Sequence, residues 1–298
     1  MCSKSILYIF SDAAKSKLDI QKVHEVRHYI GTIKGFKEVN IIEQKFNKGL
    51  ANSIIDGVST VLDIYKKVIV LEDDLIVSND FLKFMNDSLD LYENNHMIHS
   101  ISGFRFPIQL PGSYIDNVYL LSRSCSYGWG TWSNRWFEAR WDLNYFYGFF
   151  IDITQRKSFE KGGEDLTLML LKQNLNLHDS WAIRWDYNRF LSKSYTLYPV
   201  EPKVITVGND GSGTNDSKYS VHNSYLSNKQ VVLKYNVMPN DGLNYSLMAH
   251  FKLSFLKKIY YTTLTLKYFI GLWMSKSISK KDILINMLQV FFPKSGKK

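Results

Sequence analysis

Lys67-Val68-Ile69-Val70-Leu71-Glu72-Asp73-Asp74 decides how the chain folds and where its chemistry lies. The uninterrupted apolar run after Lys67 has the composition of a strand buried on both faces, which implies parallel pairing in a sheet covered by helices. Three acids follow at its carboxyl end. In an open α/β sheet, ligands bind beyond the carboxyl ends of the strands, so these acids face the expected crevice. Adjacent carboxylates repel, and they are tolerated where a cation or hydrogen-bond donors neutralise them. Oxygen-only ligands suit Mg²⁺ or Mn²⁺, and such an ion commonly bridges a protein carboxylate and substrate phosphates. The plainer reading makes the acids a cap for the next helix, but Ser78 or Asn79 is better placed for that.

Outward from this stretch, strand and helix patterns alternate. Strand-like runs lie at 6–10 and 39–43, and helical spacing over 51–66 brings Ile54, Ile55, Val58, Val61, Leu62 and Tyr65 to one side. Residues 19–33 do the same with Ile20, Val23, Val26 and Ile30. A helix over 79–92 and strands at 97–102 and 114–121 continue the alternation, which predicts an α/β fold with an open, doubly wound sheet. Residues 122–215 are rich in Trp, Tyr, Gly and Arg, with short helices at 133–140, 165–173 and 181–191, the texture of a substrate-binding half. The expected organisation is one domain over 1–249, its nucleotide and metal half 1–121 and its acceptor half 122–249, followed by a tail over 250–298.

That tail separates itself by charge. Residues 250–298 hold ten of the 37 basic residues and one of the 28 acidic ones, so the tail accounts for the whole net charge of +9. A nucleic-acid protein spreads basic residues over its folded face, so a basic, aromatic-rich tail points to an anionic membrane surface and not to nucleic acid. Apolar patches at Phe255, Ile259, Leu264, Leu272 and Trp273 alternate there with lysines, the pattern of an interfacial helix. The longest apolar run, 259–274, contains Lys267 and is short for a transmembrane helix. The first ten residues are soon interrupted by Asp12 and lack the form of a signal peptide. Two cysteines, Cys2 and Cys125, make no disulfide framework and fit a reducing compartment. The expectation is a cytoplasmic protein, peripheral on the inner face of the cell membrane.

Six tryptophans crowd the second half, and most have the setting of core residues. Trp129 stands out because glycines flank it, which predicts a ring exposed on a loop where a sugar face could stack. His24-Glu25-Val26-Arg27-His28 matches a zinc-protease expression in its letters, but no third ligand follows, and a chance match is the better account.

Several motifs in one order resemble a known family. Leu7-Tyr8-Ile9-Phe10-Ser11-Asp12, Asn47-Lys48-Gly49-Leu50-Ala51-Asn52 and Val68-Ile69-Val70-Leu71-Glu72-Asp73-Asp74 are similar to segments of bacterial GT-A glycosyltransferases of surface-polysaccharide synthesis. Gly128-Trp129-Gly130-Thr131-Trp132, Asp179-Ser180-Trp181 and Asp210-Gly211-Ser212-Gly213-Thr214 resemble that family's later motifs, so the likeness covers about residues 6–220. The Glu-Asp-Asp form is also similar to that of the N-acetylglucosaminyltransferase that begins complex N-glycans. The resemblance implies a GT-A-like mixed sheet and a metal-dependent, inverting sugar transfer from a nucleotide-sugar, a UDP-sugar by preference, to a saccharide or lipid-linked acceptor. It implies that Asp74 binds Mn²⁺ or Mg²⁺ on the donor diphosphate and that Glu72 and Asp73 orient ribose or nucleotide. Asn47, Gly49, Trp129 and Asp210 would line the nucleotide-sugar pocket.

An inverting transfer needs a carboxylate to take the acceptor proton. Asp179 resembles the family's base position, with Glu164 and Asp165 as alternatives. The family also implies a strand and helix ahead of 7–12 that help hold the base, where five residues precede Ile6 here, and a His where Asn215 stands. The alternative expectation is therefore an inactive relative that binds a saccharide or a membrane. A metal-dependent phosphohydrolase using the same acids is a third.

Overall fold

The computed structural model describes residues 2–208, 225–275 and 280–291. Strand β1 (Ile6–Ser11), helix α1 (Ile20–Ile30) and strand β2 (Glu38–Glu43) form a parallel unit, paired from Ile6 with Glu38 to Ser11 with Glu43. Helix α2 (Gly49–Ile64) leads to β3 (Lys67–Val70), β4 (Leu75–Val77), α3 (Phe81–Leu91), β5 (Ile98–Ser102), β6 (Val118–Leu121) and β7 (Trp129–Trp132). Then come helices α4 (Ser133–Trp136), α5 (Phe146–Ile151), α6 (Ile153–Phe159), α7 (Asp165–Asn174) and α8 (Trp181–Leu191). Strands β8 (Tyr195–Pro199) and β9 (Val204–Thr206) and helices α9 (Asp241–His250), α10 (Phe255–Met274) and α11 (Lys280–Phe291) complete the chain. The fold is mixed α/β.

The central sheet has the order β3-β7-β5-β8-β6 and is mixed, β5 running parallel to β8 and antiparallel to β7. Its faces are covered by different layers. Val118 and Leu120 of β6 point to the side of Phe81, Phe84 and Met85 from α3, while Tyr119 and Leu121 point to Phe104, Phe106 and Leu247. Each such fully buried side chain contributes about 1.5–3 kcal/mol relative to exposure. Apolar residues on both faces explain why β6 lacks a polar alternation.

Three expectations about the sheet are corrected. The 67–71 run pairs antiparallel with β7 and not with a parallel neighbour, and its side chains are half-buried. The expected continuous sheet is interrupted, because β1–β2 and β3 share no ladder among the described residues, and β4–β9 form a separate antiparallel pair. The 114–121 segment is extended as a strand only over 118–121, since Tyr114 instead turns back to bond the Val118 carbonyl through its hydroxyl. Beyond the sheet, the helix expected over 133–140 ends at Trp136.

Helix α2 spans the interruption. Gly49 is tied to Asp12 beyond β1, Gly57 lies on Phe10, and Tyr65 just past the helix meets Tyr8 edge-on, so α2 runs antiparallel to β1. A methyl on Gly57 would stand 3.2 Å from the Phe10 ring. The chain then reverses into β3, which therefore runs in the same direction as β1 and ends on the same edge. On its other side α2 buries Ala51, Val58 and Leu62 against Trp129, Trp136, Trp181 and Trp185.

A second apolar cluster joins α5 to α8 with the C-terminal helices. Phe146, Phe150, Leu170 and Ile183 pack with Leu264, Tyr268 and Phe269 of α10, which gives that helix one buried side.

Candidate functional site

The common carboxyl edge of β1, β2 and β3 gathers the acids, the loop over 44–52 and the start of α8. Three observations place them. Asp12, at the end of β1, accepts the N–H groups of Lys48 and Gly49 at 3.0 Å each, satisfying amides at the start of α2 that have no partner within the helix. An acid there also meets the positive end of the helix dipole. Asn47 donates from Nδ2 to the Ala13 carbonyl at 2.7 Å, and Gly49 enters the helix with φ of +74°, a conformation that favours glycine. Asn47 and Gly49 thus shape the loop through the backbone.

Arg27 of α1 closes the same edge. It pairs with Glu43 at 3.1 Å and donates to the Gln44 carbonyl at 2.9 Å, drawing α1 over the ends of β1 and β2.

At the end of β3 the three acids occupy different environments. Glu72 is half-buried, and burial first, then the charges of Asp74 and Asp73, push its carboxyl up to about 7. Asp73 is exposed at the turn. Asp74 is held from β9: its backbone oxygen accepts the Val207 N–H at 2.8 Å, and its Oδ2 accepts the Thr206 hydroxyl at 3.2 Å. Its other oxygen, Oδ1, is buried without a hydrogen-bond partner among the described residues. Gly208 is pressed against this carboxylate, since a Cβ there would fall 2.3 Å from Oδ2. Tyr127 borders the acids, its hydroxyl pushed up to about 12 by burial, with Cys125, Asp74 and Glu72 adding to the shift.

Among the described residues no group of three or more His, Cys, Asp and Glu side chains gathers to hold a metal ion. One orphaned carboxylate oxygen beside two further acids fits an ion that arrives with a diphosphate and takes its other ligands from phosphate and water. It does not fit a resident all-protein cage.

Trp129 corrects an expectation. It lies in β7 opposite Val70 and is 1% exposed, stacked on Trp181 at 5.0 Å and beside Trp136 and Trp185. The ring packs the face opposite α3 and offers no surface to a sugar. Its stacking has a positional consequence, because it holds the first turn of α8 over the end of β3.

Asp179 stands just before that turn. Ser180 is the cap of α8, its hydroxyl accepting from the Ile183 N–H, and the Asp179 carboxylate stays exposed, paired with Arg184 Nη2 at 2.8 Å. Glu164 and Asp165 are engaged elsewhere. Arg123 binds Asp165 in a two-pronged pair at 2.8 and 2.9 Å, donates to the Gly162 carbonyl and lies over the Phe251 ring. Glu164 accepts the Leu253 N–H and pairs with Lys258. This cluster is a joint between α7 and the C-terminal segment, and it gives both acids partners there. Gly163, with φ of +134°, leaves room for it, since a Cβ would meet Arg123 and Asp165 at 2.6 Å.

The acids do not cap α3 as the plainer reading had it, nor does either expected residue. Ser78 instead bonds Asp80, and Asp80 takes the fully buried Lys203 ammonium at 2.6 Å. Asp210, the rest of its motif and Asn215 lie outside the described residues. Sequence reasoning missed Asp12, Thr206 and Gly208 as site-building residues. Asp12 was legible as an acid directly after a strand, whereas Thr206 and Gly208 join the site through a pairing across more than 130 positions.

No protein-family model matches the chain, and no curated protein matches it.

Proposed function

We propose that the chain is a metal-dependent glycosyltransferase of GT-A type, which moves a sugar from a nucleotide-sugar, a UDP-sugar by resemblance, to a saccharide or lipid-linked acceptor. What carries this reading is the buried Oδ1 of Asp74, without a hydrogen-bond partner among the described residues, beside Glu72, a carboxyl pushed up to about 7, at the carboxyl end of β3. Such a pair disfavours further negative charge unless a cation accompanies it.

When bound, Mn²⁺ or Mg²⁺ supplies positive charge that stabilises the departing diphosphate. Asp74 would hold that ion through Oδ1, with the Thr206 hydroxyl bonded to the other carboxylate oxygen and the Val207 amide bonded to the Asp74 backbone carbonyl. Glu72, its carboxyl raised by burial and by the charges of Asp74 and Asp73, can donate to a donor hydroxyl or phosphate oxygen when it carries its proton, and Asp73 stays available to the nucleotide. Asp12 and Asn47 hold the loop over 47–52 in place along the same edge. Asp179 takes the proton of the acceptor hydroxyl as its oxygen bonds to the anomeric carbon. The bond from that carbon to the diphosphate oxygen breaks, and the electron pair leaves with the diphosphate.

Calorimetry with UDP, with and without Mn²⁺, tests the reading. Saturable binding near micromolar that needs Mn²⁺ and weakens by about tenfold or more in Asp74→Ala is the expected result. Binding that is independent of the metal, or equal in the variant, overturns it. Asp179→Asn is expected to keep UDP binding and lose about 10²–10⁴-fold in turnover.

A second reading, a non-catalytic saccharide-binding relative, draws on the interruption between β1 and β3, which lies beside the proposed donor pocket. A folded chain without UDP affinity would favour it.

A further inference from the structure

Helix α10 is apolar on two opposite sides, one of which is packed into the apolar core among the described residues while the other is exposed. At about 100° per residue, Leu264, Tyr268, Phe269 and Leu272 share the side that packs on α5 and α7. Phe255, Ile259, Leu266, Ile270 and Trp273 fall within an arc of about 60° on the other side. These five are exposed, from 39% at Leu266 to 77% at Phe255. An exposed apolar row along a whole helix is a binding surface and not a packing residue left over.

We propose that this row docks on the surface of an anionic lipid bilayer, with α10 lying in the plane of the headgroups. The charge pattern selects the occupant. Residues 252–275 contain four lysines and no acid; Lys252 is exposed just ahead of the helix and Lys267 is exposed on the flank of the row. A second copy of the chain would bring like charges together, whereas acidic headgroups neutralise them. Trp273 stands at one end of the row, where an amphipathic ring suits the boundary between headgroup and acyl chain. No helix among the described residues is long and apolar enough to cross a membrane.

The attachment to the body is rigid where it matters. Glu164 takes the Leu253 amide and pairs with Lys258, and Arg123 covers Phe251, so the start of α10 is pinned to α7. Docking would therefore orient the whole α/β body, independently of whether that body transfers sugar.

The test is flotation of the full chain with phosphatidylcholine vesicles, with and without phosphatidylglycerol, at about 0.1 M salt. Binding is expected to be at least about tenfold stronger on the anionic vesicles. Ile259→Asp with Ile270→Asp, both at exposed positions, is expected to abolish it while leaving the thermal melt in place. Lys252→Gln with Lys267→Gln is expected to weaken binding several-fold on anionic vesicles alone. Equal binding to both vesicle types, or no loss in the aspartate pair, overturns the proposal. A dimer in sedimentation that the aspartate pair converts to monomer also overturns it and assigns the row to a second copy.

Discussion

The β1–β2 unit and the five-stranded sheet are written in similar apolar runs, yet they are held together by different means. In the sheet, Ile98, Ile101, Val118, Leu120 and Leu197 have no exposure at all, because α3 covers one face and aromatic clusters cover the other. In the β1–β2 unit, Ile30 is the buried apolar residue of α1, whereas Val26 and Tyr29 of the same helix are exposed. That unit is secured by polar clasps: Arg27 over the strand ends, and Asp12 on the first amides of α2. The difference teaches that the proposed nucleotide end is fixed by a few directional bonds and the rest by volume and area.

Trp129→Ala offers the most direct way to break that contrast. Removing a fully buried ring from the tryptophan cluster is expected to cost about 3–5 kcal/mol, read from urea unfolding. A loss below 1 kcal/mol would mean that the sheet is no more dependent on packing than the β1–β2 unit.

Glu72 sits at the junction and sharpens the comparison through pH. Its carboxyl is raised from an ordinary value of 4.5 to about 7, so the folded state holds its proton longer than the unfolded chain does. Below the ordinary value both states are protonated and nothing is lost; as pH rises from 4.5 the unfolded chain ionises first and stability falls, until the loss is complete once pH has risen through about 7 and the folded state is ionised too. Glu72→Gln is expected to be more stable than the parent by about 1–3 kcal/mol at alkaline pH and equal to it in acid. A pH-independent difference in melting would contradict this.

The smallest effect belongs to the clasp. Asp12→Ala is expected to cost about 1–2 kcal/mol, as for loss of a helix cap. Hydrogen exchange should localise the change to amides 47–52, with β5 and β8 still protected. Uniformly faster exchange across the sheet would show that the two regions open as one.

Much of the fold was readable because its first elements are local. The runs at 6–10, 39–43 and 67–71 and the spacing of Ile54, Val58 and Leu62 state strand and helix over a few residues, and β1, β2, β3 and α2 lie there. Strand β7 was hidden by Gly130, which reads as a loop residue. That glycine is there because a Cβ would stand 2.7 Å from the Val68 carbonyl, a close approach of two backbones. Strands β4 and β9 span three residues each, too short for a period to show. The pairing direction of β3 and the capture of Asp165 by Arg123 depend on contacts across dozens of positions, which no window of sequence contains.

Gly57 has one further consequence. It is where α2 meets Phe10, and α2 is the element that packs on both β1 and β3. The lateral distance between the Asp12 edge and the Asp74 edge is therefore gauged by a missing methyl group, a spacer of zero thickness. Any larger residue would have to displace the Phe10 ring that a Cβ already crowds at 3.2 Å, turning a substitution remote from the acids into a change of alignment between the two halves of the proposed donor pocket.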